Sequence, residues 1–324
     1  MPADSTTPHH RGNSKLLEVQ GLRKQYGPLL AVDDVSFTLQ PGDIFGFIGP
    51  NGAGKTTTIR MISTLLEPSA GTATINGADI WKDPMGVRRQ IGYMPDFFGL
   101  YDDIKVWEYL DFFAAIYKIP ANQRPGIMDS VLALTDLSTK RESFVQTLSR
   151  GMQQRLCLAK CLVHDPTLLL LDEPASGLDP RARAEFKELV LELGRMGKIV
   201  IVSSHILPEL ASFCNKVGII ERGKMLALGP VSDIIKQTRQ GRHVDVRVLG
   251  ELDGEVDRIA ALKHVINVNV TGPSTLEIEF SGDDDEQAQL LQTLLANGLR
   301  ILDFRQKQID LEDVFLEITT GAVN

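Results

Sequence analysis

Cysteine is scarce in this chain of 324 residues, which has only Cys157, Cys161 and Cys214. An odd number without framework spacing excludes a disulfide-stapled fold and suits a reducing compartment. Cys157 and Cys161, four apart, would share a helix face. No His or Cys cluster follows them, so they read as small buried residues rather than metal ligands. Long apolar runs are missing too. The longest, such as Leu168–Leu171 and Ile199–Val202, have strand length, far short of the roughly 20 residues that span a bilayer. The opening MPADSTTPHHRGNSK lacks the apolar core of a signal peptide, so the chain is expected to be soluble. An excess of positive charge is absent as well: 34 Lys+Arg against 42 Asp+Glu leave −8, and no global field draws in nucleic acid. What remains is an ordinary globular composition, 43% apolar and 23% charged, at a length that suits one large domain or two.

The charge is uneven. Residues 241–324 hold 7 Lys+Arg and 16 Asp+Glu, whereas residues 1–240 hold 27 and 26. The acidic excess belongs to the C-terminal quarter, and a shift this sharp marks a second domain. The expected division is a flexible tail over 1–14, a main domain over 15–240 and an accessory domain over 241–324.

Patterning supports that division. Strand-like segments from Leu16 are followed by a buried strand, Ile44–Ile48, a Gly-rich turn and a helix with Ile59, Ile62, Leu65 and Leu66 at helical spacing. Residues of about 95–163 read as a helical insert, with stretches at Val106–Ile119, Ser130–Leu137 and Arg150–Leu162. Leu168–Leu171 and Ile199–Val202 then flank a helix, Arg181–Arg195. Unbroken apolar strands alternating with helices predict an α/β fold, a mainly parallel sheet with helices on both faces. Beyond Gly241 the order β-α-β-β-α-β predicts a small α+β domain, ferredoxin-like in topology.

Gly49-Pro50-Asn51-Gly52-Ala53-Gly54-Lys55-Thr56, followed by Thr57, satisfies GxxxxGK[ST] between a strand and a helix. Such a loop curls its backbone N–H groups around phosphate oxygens. Lys55 would reach the β- and γ-phosphates, and the Thr56 hydroxyl would ligate Mg2+. The plainer alternative is a Gly-rich turn. Leu168–Leu171 runs into Asp172-Glu173, which places acids at the end of a buried strand, where open α/β sheets bind ligands. Asp172 can hold Mg2+ through water and Glu173 can act as general base on an attacking water. Alternatively the two acids, with Pro174 behind them, cap a helix.

At this point the residues resemble one family, the ATP-binding cassette (ABC) ATPases. LSRGMQQR at Leu148–Arg155, with Ser149, Arg150, Gly151 and Met152, is similar to the family signature. SGLD, ending in Asp179, is similar to the D-loop, and His205 to the switch histidine. Tyr26, 23 residues before Gly49, is similar to the adenine-stacking aromatic, although it could simply pack on its strand. His205 alone would more often be an ordinary loop histidine, and Ser149 serves equally as a helix cap. The resemblance spans residues 16–230 and implies a P-loop NTPase cassette that hydrolyses ATP with Mg2+. It implies a head-to-tail dimer, of two copies or with a paired ATPase subunit. Each ATP would lie between one subunit's phosphate loop and the other's signature. It further implies docking on an integral-membrane permease at the cytoplasmic face of the membrane.

Two positions depart from the family pattern. Asp96 stands where the family carries a Gln that reaches Mg2+ and the attacking water. It is shorter and charged, and is a possible metal contact. Arg150 and Met152 replace Gly and Gln in the signature, and Arg150 could face the phosphates or the outer surface. Two further segments keep more than one reading. The aromatics of Val106–Ile119 are either a permease-docking face or the insert's own core. The acidic C-terminal domain stabilises the dimer, regulates, or only presents a solvated face. Its ending, LEDVFLEIT, resembles ATPase subunits of type-2 exporters of the daunorubicin-resistance and sodium-export kind, which favours export.

Two other function classes are weaker. A nucleic-acid ABC protein would carry a long coiled coil or a second cassette, and its acidic domain would repel phosphates. An ATP-gated clamp without turnover has Asp96 in its favour, and Asp172, Glu173 and His205 against it.

Overall fold

A computed structural model of the chain describes residues 17–97, 99, 103–237, 242–252 and 254–307. The expected tail and the LEDVFLEIT ending lie outside them. The chain folds as two compact units, Met1–Val231 and Ser232–Asn324, a division ahead of the 240/241 boundary suggested by the charge shift.

The first unit opens with β1 (Leu17–Tyr26) and β2 (Leu29–Leu39), paired antiparallel. Next come β3 (Ile44–Ile48), α1 (Lys55–Ile62), β4 (Ala70–Ile75), β5 (Ala78–Asp79), α2 (Pro84–Arg88) and β6 (Ile91–Met94). The helical insert holds α3 (Val106–Ile116), α4 (Arg124–Leu134) and α5 (Arg150–Leu162). Then follow β7 (Leu168–Asp172), α6 (Pro180–Arg195), β8 (Ile199–Ser204), α7 (Leu207–Ala211), β9 (Lys216–Glu221) and β10 (Lys224–Pro230), and α8 (Val231–Gln237) carries the chain across the division into the second unit.

The central sheet has the order β10-β9-β3-β8-β7-β6, parallel except at its β10 edge. Its strands β3, β7 and β8 are buried along their whole length, as parallel strands covered on both faces must be. One face is covered by helices α5, α6 and α7. The other differs from the expectation of helices alone, because α1 shares it with a second sheet, β2-β1-β4-β5. The cause lies in the alternation of β1 and β2, which puts Leu17, Val19, Phe37 and Leu39 on one side. That apolar face is buried against Phe45, Phe47, Leu168, Leu170 and Ile201, and the Phe37 and Phe45 rings stack at 5.0 Å.

In the insert, α3 buries Val106, Tyr109, Leu110 and Ala114 and exposes Phe112 and Ile116. The aromatic stripe is therefore divided between the insert's own core and an outward face. Helix α4 starts before the expected Ser130, because Pro125 suits a first turn, where its missing N–H costs nothing. It stops at Thr135, before Asp136 turns left-handed at φ 52°. All three cysteines are buried and free.

The second unit contains β11 (Arg242–Val248), α9 (Val256–Ala260), β12 (Val265–Gly272), β13 (Thr275–Phe280), α10 (Asp284–Ala296) and β14 (Ile301–Gln306). Its sheet has the order β12-β13-β11-β14, with every neighbouring pair antiparallel. This is the ferredoxin-like arrangement that the element order predicts. Val244, Val246, Leu276, Ile278 and Phe280 form its core with Ile259, Leu290 and Leu294. Part of the acidic run has a local purpose. Asp283 accepts from Glu286 N at 2.9 Å while Glu286 accepts from Asp283 N at 3.0 Å, closing a capping box on α10. Among the described residues no helix is long and apolar enough to cross a membrane.

Candidate functional site

The loop between β3 and α1 takes its shape from its glycines. Gly54 caps α1 at φ 110°, a conformation that disfavours any side chain. A Cβ at Gly49 would run into the Ile220 carbonyl. Lys55 folds under the loop, and its Nζ donates to the carbonyls of Gly49 at 2.6 Å and Pro50 at 3.2 Å. Its ammonium is buried, 3.7 Å from Glu173 Oε1. Burial pushes its pKa down, and the Glu173 and Asp172 carboxylates oppose the shift.

Beneath the loop, three side chains from three elements form a hydrogen-bonded array. Thr56 Oγ1, at the start of α1, donates to Asp172 Oδ1 at 3.0 Å. Ser203 Oγ donates to the same oxygen at 2.7 Å and accepts from Glu173 N at 2.9 Å. Parallel pairing of β7 with β8 sets Asp172 directly opposite Ser203, so strand register supplies this contact. Glu173 leaves the strand at φ 48°, a left-handed conformation that is uncommon for a side-chain residue and typical of functional sites. The turn directs its carboxylate to His205, whose Nδ1 lies 2.9 Å from Oε2.

Asn51, Gly52, Ala53, Gly54, Lys55, Thr56 and Thr57 line one cleft of about 340 Å³ with Asp96, Glu173 and His205. Gly49 and Pro50 sit behind it as acceptors for Lys55. Tyr26 lies at the end of β1, 46% exposed, with Lys24 Nζ 5.3 Å from its ring centroid. It is not among the residues that line this cleft.

The signature residues lie elsewhere. Ser149, Arg150, Gly151 and Met152 line a second cleft with Gly177, Leu178 and Asp179. Ser149 Oγ caps α5 by accepting from Met152 N at 3.4 Å, and Asp179 caps α6 by accepting from Ala182 N at 2.9 Å. Arg150 turns to its own D-loop and donates to the Ser176 carbonyl at 3.1 Å. The chain thus presents two separate clefts, one at the phosphate loop with Glu173 and His205, the other at Ser149–Met152 with Asp179.

Reasoning from sequence missed two residues of this region. Ser203 sits at the polar end of the apolar run IVIVSS, and that polarity at a strand's C-terminal edge is the available signal. Gln154, buried on α5, donates to the Pro174 carbonyl and ties the signature helix to the turn after Glu173. Its polarity among buried neighbours on α5 is the corresponding hint.

Comparison with known proteins agrees with this geometry. The model of the ABC transporter family matches residues 32–176. A second model, ATP-binding protein DrrA1-3-like, C-terminal domain, matches residues 229–319. The Linearmycin resistance ATP-binding protein LnrL of Bacillus subtilis is 32% identical, over 94% of this chain and 98% of its own length. The Nod factor export ATP-binding protein I of Ralstonia nicotianae is 34% identical, over 95% of each. A solved ATP-binding subunit of an ABC transporter superposes with a TM-score of 0.62 at 33% identity, covering 68% of this chain and 92% of its own.

Proposed function

This chain belongs to the ATP-binding proteins of ABC transporters, and from that premise we propose that it powers export through a separate membrane permease by hydrolysing Mg-ATP between two paired cassettes. The observation that carries the reading is the array Thr56–Asp172–Ser203–Glu173–His205 beneath the phosphate loop.

The loop amides of Asn51–Thr57 and the N-terminus of α1 present donors and a positive dipole end to the phosphates. Lys55 moves its ammonium from the Gly49 and Pro50 carbonyls to the β- and γ-phosphate oxygens. Thr56 and Asp172 supply two adjacent hard oxygens, which suits Mg2+, an ion that takes most of its ligands from phosphates and water. When bound, Mg2+ neutralises charge on the phosphates and favours departure of ADP. Asp96 lines the same cleft and would contact this cation or the attacking water.

Glu173 accepts a proton from that water as its oxygen bonds to the γ-phosphorus. The bond from phosphorus to the bridging oxygen breaks, and ADP and phosphate result. His205 orients the carboxylate. The second cleft completes the first in trans: the Ser149 hydroxyl and Gly151 amide of one cassette donate to γ-phosphate oxygens held by the other.

The names of the full-length relatives, among them Nod factor export, support export. The exposed Phe97, Phe112 and Ile116 support a partner docked near the insert, which would hold the chain at the cytoplasmic face of the membrane. The decisive experiment is Mg-ATP hydrolysis by the full chain over a range of concentrations, beside Glu173→Gln. We expect activity that rises more than linearly with protein. In the variant, turnover falls by about 10²–10⁴-fold, the usual contribution of a general base, while ATP binding persists. Unchanged turnover in Glu173→Gln removes the base from this reading. Tight ATP binding without turnover in the parent points to an absent permease or to an ATP-gated clamp, and adding the membrane partner decides between them.

A further inference from the structure

His205 is held loosely for a residue set against a general base. Its side chain is 47% exposed, and its bond is to Glu173. The backbone is tied on one side by Ile206 N donating to Ser204 Oγ at 3.0 Å. On the other side it enters α7, a helix of five residues without a side-chain cap. A cavity of about 220 Å³ lies between α6 and α7, walled by Phe186, Val202, Leu210 and Phe213.

An ion pair at that cavity joins the two helices. Arg183 Nε on α6 lies 2.9 Å from Glu209 Oε1 on α7. Both atoms are buried, and among the described residues neither makes a hydrogen bond, to the other or to a third group, so charge attraction is what holds them together. Burial pushes the Glu209 carboxyl pKa up, and the Arg183 guanidinium opposes the shift. Arg183 also donates through Nη2 to the Leu178 carbonyl at 3.2 Å, inside the D-loop. Glu209 lies in the first turn of α7, four residues beyond His205. A side chain fixed at 209 therefore fixes the direction in which the chain leaves 205.

We propose that Arg183 and Glu209 are positioning residues for hydrolysis: their ion pair pins α7 to α6, sets His205 against Glu173, and ties that pair to the D-loop of the same chain. The proposal rests on Glu173 and His205 acting as the hydrolytic pair. It predicts that losing the ion pair lowers turnover without weakening nucleotide binding, since neither residue lines the phosphate cleft.

The test measures kcat and KM for Mg-ATP in the full chain and in Glu209→Gln, Arg183→Met and Arg183→Lys, with and without His205→Ala. Thermal unfolding is recorded for each variant to confirm folding. Small misplacements of catalytic groups cost up to about 10²-fold. We expect kcat to fall about 10- to 100-fold in Glu209→Gln and Arg183→Met, KM to stay within about twofold, and Arg183→Lys to recover at least part of the loss. In the His205→Ala background Glu209→Gln then adds no further loss, because groups that act as a unit are not additive. Parent-like kcat in both variants overturns the proposal, as does a full additional loss on top of His205→Ala, which marks a merely structural pair. Failure of the underlying reading looks different: a parent without turnover, or a Glu173→Gln chain as active as the parent.

Discussion

At the scale of single residues, Arg150 shows what a departure from a family pattern can do. The side chain could have faced the phosphates or the outer surface. Its guanidinium, exposed at the signature cleft, donates to the Ser176 carbonyl and lies over Gly177, at φ 70°. A Cβ at 177 would collide with that guanidinium, so the two positions are coupled. We expect Gly177→Ala to destabilise the chain by about 1–2 kcal/mol, through the left-handed backbone and the displaced arginine. In an Arg150→Gly background only the backbone part remains. A double-mutant cycle by urea unfolding should give a coupling of about 0.5–1 kcal/mol, and a coupling near zero would mean that Arg150 does not rest on the D-loop. The cysteines carry a second prediction at this scale. Burial pushes the Cys161 thiol up to about 12 and raises Cys157 and Cys214 as well. The native chain should resist a thiol-alkylating reagent at pH 8, whereas the urea-unfolded chain should react at all three, since the thiolate is the nucleophile. Rapid labelling of the native chain would contradict the burial of these side chains.

At the scale of elements, the legible parts were those specified over a short stretch of sequence. The glycines, Lys55 and Thr56 of the phosphate loop stand together, and LLLLDE announces both a buried strand and its terminal acids. The contacts that complete the site come from residues far apart in the chain. Ser203 meets Asp172 through β7–β8 register, and Gln154 reaches Pro174 from α5, and no local spacing encodes either. The division of α3 between buried Tyr109 and exposed Phe112 likewise depends on which neighbours arrive. Another such tie is His164, just beyond α5. Its Nε2 lies 3.0 Å from the Ile91 carbonyl at the start of β6, and its ring stacks on Tyr117 at 3.7 Å. Nδ1 is buried without a partner among the described residues, so a second ring proton would find no acceptor. Burial accordingly pushes the His164 pKa below the usual imidazole range. As pH falls through the ordinary value of about 6.5, the unfolded chain takes up a proton that the native chain resists, so stability falls with acidification. We expect His164→Gln, which keeps a donor and cannot titrate, to lose less stability between pH 7 and 5.5 than the parent in urea unfolding. An equal loss in both would remove His164 from the acid response.

At the scale of the whole molecule, the sharp change in charge at residue 241 points to a second domain, and each unit has its own hydrophobic core. The ferredoxin-like order of the second unit follows from its β-α-β-β-α-β sequence, because antiparallel pairing and right-handed crossovers leave few alternatives. The covering β-sheet of the first unit was less legible, since alternation in β1 and β2 tells that one face is buried without telling against what. Two cores imply two cooperative unfolding steps, and the proposed nucleotide site lies wholly in the first unit. A ligand stabilises the unit that binds it, by about 2.7 kcal/mol at a hundredfold excess over Kd. For a unit of this size 1 kcal/mol moves the midpoint by about 2–4 °C, so the expected rise is roughly 5–10 °C. Calorimetry of the full Glu173→Gln chain, in which bound ATP persists, should therefore show two transitions with Mg-ATP shifting one of them. A single transition that moves as a whole would mean that the two cores unfold as one, and that the acidic unit senses nucleotide bound to the cassette.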